Sequence, residues 1–341
     1  MPLWTDIITP VEATGIARTE IQLREQAKGS LSQWLPNVYV ADTSVKFYKG
    51  DHGLVDEAHY RAFNAAPEII GSGPLESALV ELPAVSNNQP IDESTQKALR
   101  RLPDDQVRKS VEAAIRRAAW SIADRNERTR GGVIHSGKAT ATQHNFILND
   151  DFGRNAALSI TAPILWSDQA ADGLGQIEQW IEVYAEHNNG EAPGAIIASR
   201  AAFAAFSRLA QFRTVLAGGD TRPPMAGEVN QIIEAAGLPP MHRYDRSTRS
   251  GLVLPREYIY LVPAPTGTEN PDGTSLGATF WGQTVTSESP EFSIEPGEQP
   301  GVVVGVYKED RIPYTLEVMG DAITLPVARD ANKAMAIKVL A

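Results

Sequence analysis

Apolar residues along this chain change their spacing several times, and each change marks a predicted element. Between residues 10 and 28, Val11, Ile16, Ile21 and Leu23 stand among Glu, Arg and Gln and close at Gly29, the spacing of an amphipathic helix. After Leu35-Pro36-Asn37, Val38 and Val40 alternate as in a strand, and the whole opening segment reads as an N-terminal arm more than a core element. Ile91 to Leu102 has helical spacing, and Pro103 either kinks that helix or opens a new one. The strongest helical pattern follows. Val107, Val111, Ile115, Ala118, Ala119 and Ile122 recur every three or four residues, predicting a helix from Asp104 to Arg130. Asp104 and Asp105 at its start and Arg125, Arg128 and Arg130 at its end match the macrodipole, and Gly131-Gly132 is expected to stop it. Such a helix would be a rod of roughly 40 Å.

From Val133 to Trp166 the pattern is strand-like, with Phe146, Ile147 and Leu148, then Leu158, Ile160 and Ile164. Helical spacing returns at Leu174 in Ile177, Trp180, Ile181 and Tyr184. A strand at Ala195 to Ala198, a helix from Arg200 to Leu209 and another from Val229 to Ala236 follow. Tyr258 to Val306 reads as strands with Gly and Pro turns, including a surface loop at Pro263 to Ser275, and Arg311 to Leu340 alternates again. The middle third is α/β and the chain as a whole is α+β.

One stretch breaks this order. Lys46 to Pro90 carries Gly50, Gly53, Pro67, Gly71, Gly73, Pro74, Pro83 and Pro90, with at most a short helix around Asp56 to Ala65. Loops longer than about 15 residues are uncommon in compact domains unless they are functional or disordered. Val45 and Phe47 going out, and Ala78, Val80 and Leu82 returning, predict strands at both ends, hence a projecting hairpin. A two-stranded hairpin is marginal in water by itself, so this one would gain order by lying on another surface, most simply a neighbouring copy of the chain.

With 341 residues, 42% of them hydrophobic, there is material for one large or two modest domains. No cysteine is present, which removes disulfides and thiol chemistry and fits a reducing compartment. A net charge of -11 argues against an electrostatic grip on nucleic acid. No signal-peptide pattern opens the chain, and the most apolar stretch, Ala195 to Phe206, is short and holds Arg200, so a soluble protein is expected.

Chemical motifs are few. Gly132 to Ala139 fits a phosphate loop up to Lys138, but ends in Ala where Ser or Thr should hold magnesium, and follows a helix where a strand should precede it. Gly173-Leu174-Gly175 is an ordinary helix entry. The histidines at 52, 59, 135, 144, 187 and 242 show no zinc-ligand spacing, no nucleophile elbow is present, and Asp150-Asp151 reads as a turn. No catalytic, cofactor or metal residue is proposed. Trp4, Trp34, Phe47, Tyr48, Tyr60 and Phe63 fall in arm and loop regions and are candidate subunit-interface anchors, the alternative being that they pack on their own subunit.

The order of segments resembles the tailed-phage major capsid proteins of the Hong Kong 97 fold, most like the group called major capsid protein E. The resemblance rests on Leu3-Trp4-Thr5-Asp6-Ile7-Ile8-Thr9-Pro10, Leu35-Pro36-Asn37, Leu276-Gly277-Ala278-Thr279-Phe280-Trp281-Gly282, Arg311-Ile312-Pro313-Tyr314 and Leu325-Pro326-Val327-Ala328-Arg329. It implies an N-arm at 1–45, an extended β-hairpin loop at 46–90, a spine helix at 91–130, a peripheral domain from 131–165 and 300–341, and an axial domain at 166–299. It further implies self-assembly into hexamers and pentamers of an icosahedral shell around double-stranded DNA, which would be a non-specific neighbour. A separate scaffolding protein, a portal and a decoration protein would be partners, and the place of action would be the virion capsid, assembled in the bacterial host cytoplasm. Some relatives cross-link Lys to Asn between subunits. Lys46, Lys49 and Asn332 do not align with that reaction, and none is expected. An encapsulin-like compartment shell and, more distantly, a soluble α/β enzyme are the competing readings.

Overall fold

In the computed structural model, which describes residues 2–49, 76–99, 103–143, 146–212, 225–312 and 315–341, the first helix begins at a capping box. Thr9 Oγ1 accepts from the Glu12 amide at 3.3 Å, Glu12 Oε2 accepts from the Thr9 amide at 3.1 Å, and Pro10 occupies the first turn. This helix, α1 (Pro10–Lys28), has the predicted bounds. It is not an arm free of the core. Ala13, Ala17 and Ile21 are buried, and the two alanines let the helix lie close against its neighbours.

Helix α2 (Glu93–Leu99) is followed by α3 (Asp104–Ser136), which starts directly after Pro103. Its 33 residues make a rod of about 50 Å, longer than the sequence pattern predicts. The Gly131-Gly132 pair does not stop it. A Cβ on Gly131 would stand 2.6 Å from both Val253 Cγ1 and Val253 O, so this glycine serves a close approach of another segment to the helix flank. Termination comes at Gly137, in the left-handed conformation at φ +70°, with its amide donating to Val133 O at 2.8 Å. Arg154 completes the end: its guanidinium donates to the carbonyls of Val133 (3.1 Å), Ile134 (2.6 Å) and His135 (2.9 Å). The later helices are α4 (Gly173–Glu186), α5 (Arg200–Phe206), α6 (Ala226–Ala235) and a short α7 (Val285–Glu288).

The strands, in chain order, begin with β1 (Asn37–Tyr39), β2 (Ser44–Lys49), β3 (Glu76–Glu81), β4 (Ala84–Ile91), β5 (Lys138–Gln143) and β6 (Phe146–Asp151). Next come β7 (Ser159–Thr161), β8 (Ala195–Ala198), β9 (Met241–Arg243), β10 (Ser247–Thr248), β11 (Gly251–Leu252) and β12 (Tyr258–Val262). Last are β13 (Gly277–Gly282), β14 (Val303–Lys308), β15 (Leu316–Ala328) and β16 (Met335–Lys338).

Two five-stranded sheets organise them. The first is built on β15, whose length lets β14 and β13 lie end to end along one edge while β4 pairs the other edge from Leu316 to Ile323. β1 joins in parallel beyond β13. The stretch from Ala84 to Pro90, expected to be the end of the projecting loop, is therefore part of this sheet. On β15, Val318 and Ala322 face α1 and α3, whereas Leu325 and Val327 lie on the opposite face.

The second sheet has the order β7-β16-β12-β8-β9. Alternation splits its side chains: Ile196, Ala198, Ile259, Leu261, Met335 and Ile337 pack with α4, α5 and α6, while Ala195, Ile197, Tyr260, Val262 and Ala336 turn toward a core shared with Phe280, Leu325 and Val327 of the first sheet. The sheets do not divide at the sequence-based domain boundaries. β13, within 166–299, belongs to the first sheet, and β7 and β16, within 131–165 and 300–341, belong to the second. The tail serves both because β15 ends in a short turn, after which β16 pairs with β12.

Three two-stranded ribbons remain: β2–β3, β5–β6 and β10–β11. β2–β3 joins Ser44 with Glu81 through Lys49 with Glu76, so both predicted ends of the excursion pair. Its interior, including the short helix expected at Asp56 to Ala65, lies outside the described residues. Asp150 and Asp151 end strand β6 instead of forming a turn, and Asp151 holds Lys138 across the ribbon at 2.6 Å.

Candidate functional site

A fully buried charged side chain stands at the junction of these parts. Arg130 has no exposed surface, although the sequence places it among arginines closing a helix. Because α3 runs six residues further, Arg130 belongs to its buried stripe, one turn beyond Asn126 and Glu127. Its Nη1 contacts Glu25 Oε1 at 2.5 Å and Glu127 Oε2 at 3.2 Å. Nη2 donates to Asn37 Oδ1 at 2.5 Å, and Nε donates to Thr279 Oγ1 at 2.8 Å. Glu127 in turn accepts from Ser30 Oγ (2.7 Å), the Leu31 amide (2.9 Å) and Tyr244 Oη (2.5 Å). Trp281 Nε1 closes the set on Asn37 Oδ1 at 2.9 Å.

Charge balances locally. Glu25 and Glu127 face Arg130, while Arg246 reaches Glu127 at 3.7 Å and Asp124 at 3.0 Å. Asp124 is also held by Arg24 at 2.7 Å. Burial alone would lower the Arg130 pKa, yet Glu25 and Glu127 raise it above its ordinary value, so the guanidinium stays charged. Burial, then the Glu127 carboxylate, pushes the Tyr244 hydroxyl up, so it remains a donor. The node joins α1, the start of β1, α3, the segment after β9 and β13 through one set of hydrogen bonds. A sequence signal was available: Asn126, Glu127 and Arg130 continue the spacing of Ala119, Ile122 and Ala123, placing polar groups where an apolar stripe should run.

Among the described residues the ribbon β5–β6 pairs with no other strand; it exposes Phe146 (47%) and Ile147 (74%), and Leu79 on β3 is 65% exposed. Of the six aromatic residues singled out from sequence, Trp34 is buried in its own subunit, its indole donating to Pro263 O at 3.0 Å and packing edge-on to His242. Trp4 is half-buried against the α1–α3 core, with its amide on Val306 O at 2.8 Å. The backbones of Phe47 and Tyr48 pair with Ala78 and Ser77 in the β2–β3 ribbon, and Tyr60 and Phe63 lie outside the described residues. The exposed pair Phe146 and Ile147 was read from sequence only as strand.

The segment from Gly132 to Ala139 is the end of a helix leading into β5, so no helix N-terminus points at a phosphate there. Asp172 caps α4 through the Gly175 amide at 3.1 Å, as expected for an ordinary helix entry. Among the described residues, no group of His, Asp or Glu is arranged to hold a metal ion, and no helix is long and apolar enough to cross a membrane.

No family model and no curated protein matches this chain. Solved structures do. The capsid protein of an Escherichia coli CFT073 prophage superposes with a TM-score of 0.61 over 96% of this chain and 98% of its own, at 13% identity. A phage-related protein of Bordetella bronchiseptica RB50 gives 0.57 over 95% and 96%, at 14% identity. The capsid of cyanophage P-SCSP1u gives 0.50 over 91% and 88%, at 10% identity. Superposition over nearly the full length of each, with a long helix laid on one sheet and a second helix-covered sheet beside it, identifies this as the phage capsid fold of the Hong Kong 97 type.

Proposed function

We propose that this chain is the major capsid protein of a tailed double-stranded DNA bacteriophage, assembling into hexamers and pentamers of an icosahedral shell. The observation that carries the reading is the full-length likeness to phage capsid structures. Two ribbons that pair with no third strand among the described residues, and that expose Leu79, Phe146 and Ile147, support it. Such ribbons gain order by lying on a neighbour, and a subunit stiffened by a buried polar node presents them at fixed angles.

In this reading residues 1–45 act as the N-arm, although α1 packs as core, and 46–90 as the extended loop. α3 is the spine, and the two sheets are the cores of the peripheral and axial domains. The role is structural, with no turnover. Scaffolding, portal and decoration proteins would be its assembly partners, and DNA an unspecific neighbour, in a virion built in the host cytoplasm. The acidic balance suits a shell wall, since a strongly basic lining would retain phosphates and impede packing.

The test is expression of the chain alone and with a scaffolding protein, followed by negative-stain microscopy and light scattering. Closed shells or capsomers are expected. A monomer under every assembly condition overturns the reading.

A further inference from the structure

A cleft of about 500 Å³ runs between α3, β4, the β5–β6 ribbon and the β10–β11 turn. Its charge is opposite in sign to the chain's. Arg125 and Arg128 on α3 and Arg249 on the turn line it, and among the described residues none of them makes an ion pair. Arg128 has only the Thr248 hydroxyl, at 3.4 Å. The cleft's carboxylate, Asp124, is already engaged by Arg24 and Arg246. Burial, then repulsion from Arg128, lowers the Arg125 pKa, which marks two half-buried like charges without a counter-ion. In a chain of net charge -11 this is a local excess that an anion would relieve.

The walls describe the shape of the occupant. Pro83, Ala84, Val85 and Ser86 line the cleft consecutively, which side chains on one face of a strand cannot do, so the cleft meets β4 along its edge. Among the described residues that edge pairs with no strand. Phe146 and Leu148 add apolar surface. The fit is to an acidic segment with apolar residues beside its charges.

The chain itself carries one, presented on two short 3-10 turns at Pro290–Phe292 and Pro296–Glu298. Residues 257–307 contain no Lys or Arg, and within them Glu288, Glu291, Glu295 and Glu298 are exposed beside Val285, itself 84% exposed. We propose that this cleft receives the 288–298 stretch of a second copy, with Glu291 and Glu295 placed against Arg125 and Arg128. The cleft and the stretch share no residue, so the stretch of one copy can meet the cleft of the next in a repeated head-to-tail contact, the kind that closes rings. The inference rests on the capsid reading and deepens it by naming a subunit contact.

Light scattering of the full chain across a salt series, with melting temperature as a fold control, tests it. R125E/R128E and E291R/E295R should each raise the concentration needed for oligomers about tenfold or more, without a matching loss of melting temperature. The combined R125E/R128E/E291R/E295R chain should recover assembly. Unchanged assembly in either double variant overturns the contact, as does failure of the combined chain to recover beside a milder R125Q/R128Q that still folds. Normal shells of R125E/R128E that lose only DNA would assign the arginines to phosphate instead. If the wild-type chain never assembles, the capsid reading itself fails, a result distinct from all of these.

Discussion

The guanidinium of Arg130 lies 2.5 Å from the carboxylate of Glu25, with both side chains buried, so α1 and α3 are joined by a charge pair that solvent does not reach. Removing Arg130 leaves Glu25 buried and unmatched, and removing the Glu25 charge leaves buried Arg130 with Glu127 alone. Glu25→Gln and Arg130→Met should each destabilise the subunit by roughly 3–5 kcal/mol in denaturant titrations. A cost under about 1 kcal/mol would show that the node is not charged in the way its geometry indicates.

Arg154 closes α3 by donating to the carbonyls of Ile134 and His135 and by sharing that of Val133 with the Gly137 amide. Arg154→Met keeps much of the stem and removes the donors, and is expected to cost about 1–3 kcal/mol. Hydrogen exchange should report the loss first at residues 133–136. Equal protection there in both proteins would assign the stability of this helix end to Gly137 alone.

Neighbouring glycines of α3 should respond in opposite directions. A Cβ at Gly131 meets the Val253 backbone at 2.6 Å, so Gly131→Ala overpacks and should destabilise by about 1–3 kcal/mol. At Gly132 the nearest atom, Lys138 O, is 3.4 Å away, so Gly132→Ala adds helix propensity and should stabilise by about 0.5–1 kcal/mol. Two destabilised variants would mean that the helix ends at residue 130 after all.

Burial, reinforced by Arg154, lowers the pKa of His135, and burial lowers that of His242. Both therefore stay neutral in the folded chain below the pH at which the unfolded chain takes up protons. Their contribution leaves stability untouched above the ordinary histidine value near 6.5 and erodes it as the pH falls below. Denaturation midpoints should fall from pH 7 to pH 5, and His135→Gln should flatten that slope. An unaltered slope would remove His135 from the effect.

Ile147 projects from a ribbon that, among the described residues, pairs with no third strand. Ile147→Asp should leave subunit stability within about 0.5 kcal/mol, as for an exposed site, while reducing shell yield. Full yield would place that tip outside every contact.

Much of the local structure was legible because it depends on neighbours in sequence. The bounds of α1 and of β8, the start of α3 after Pro103 and both strands of the β2–β3 ribbon follow from side-chain period, caps and breakers. The node was not legible as such. Glu25, Asn37, the pair Glu127 and Arg130, Tyr244 and Thr279 come from separate stretches of the chain, and a charge on an apolar stripe has meaning only when its partners are known. Gly131-Gly132 looked like a stop because glycine favours helix ends, but the approach of Val253 makes it a packing site. Trp34 stood between two readings, an anchor for a neighbour or packing on its own subunit, and Pro263 and His242 enclose it within its own subunit. Short-range pattern thus determined which elements form, and the order of segments suggested their family. Which sheet each strand joins, which charges are buried and which arginines make no ion pair among the described residues were decided by contacts between segments distant in sequence, where burial and pairing outweigh local preference.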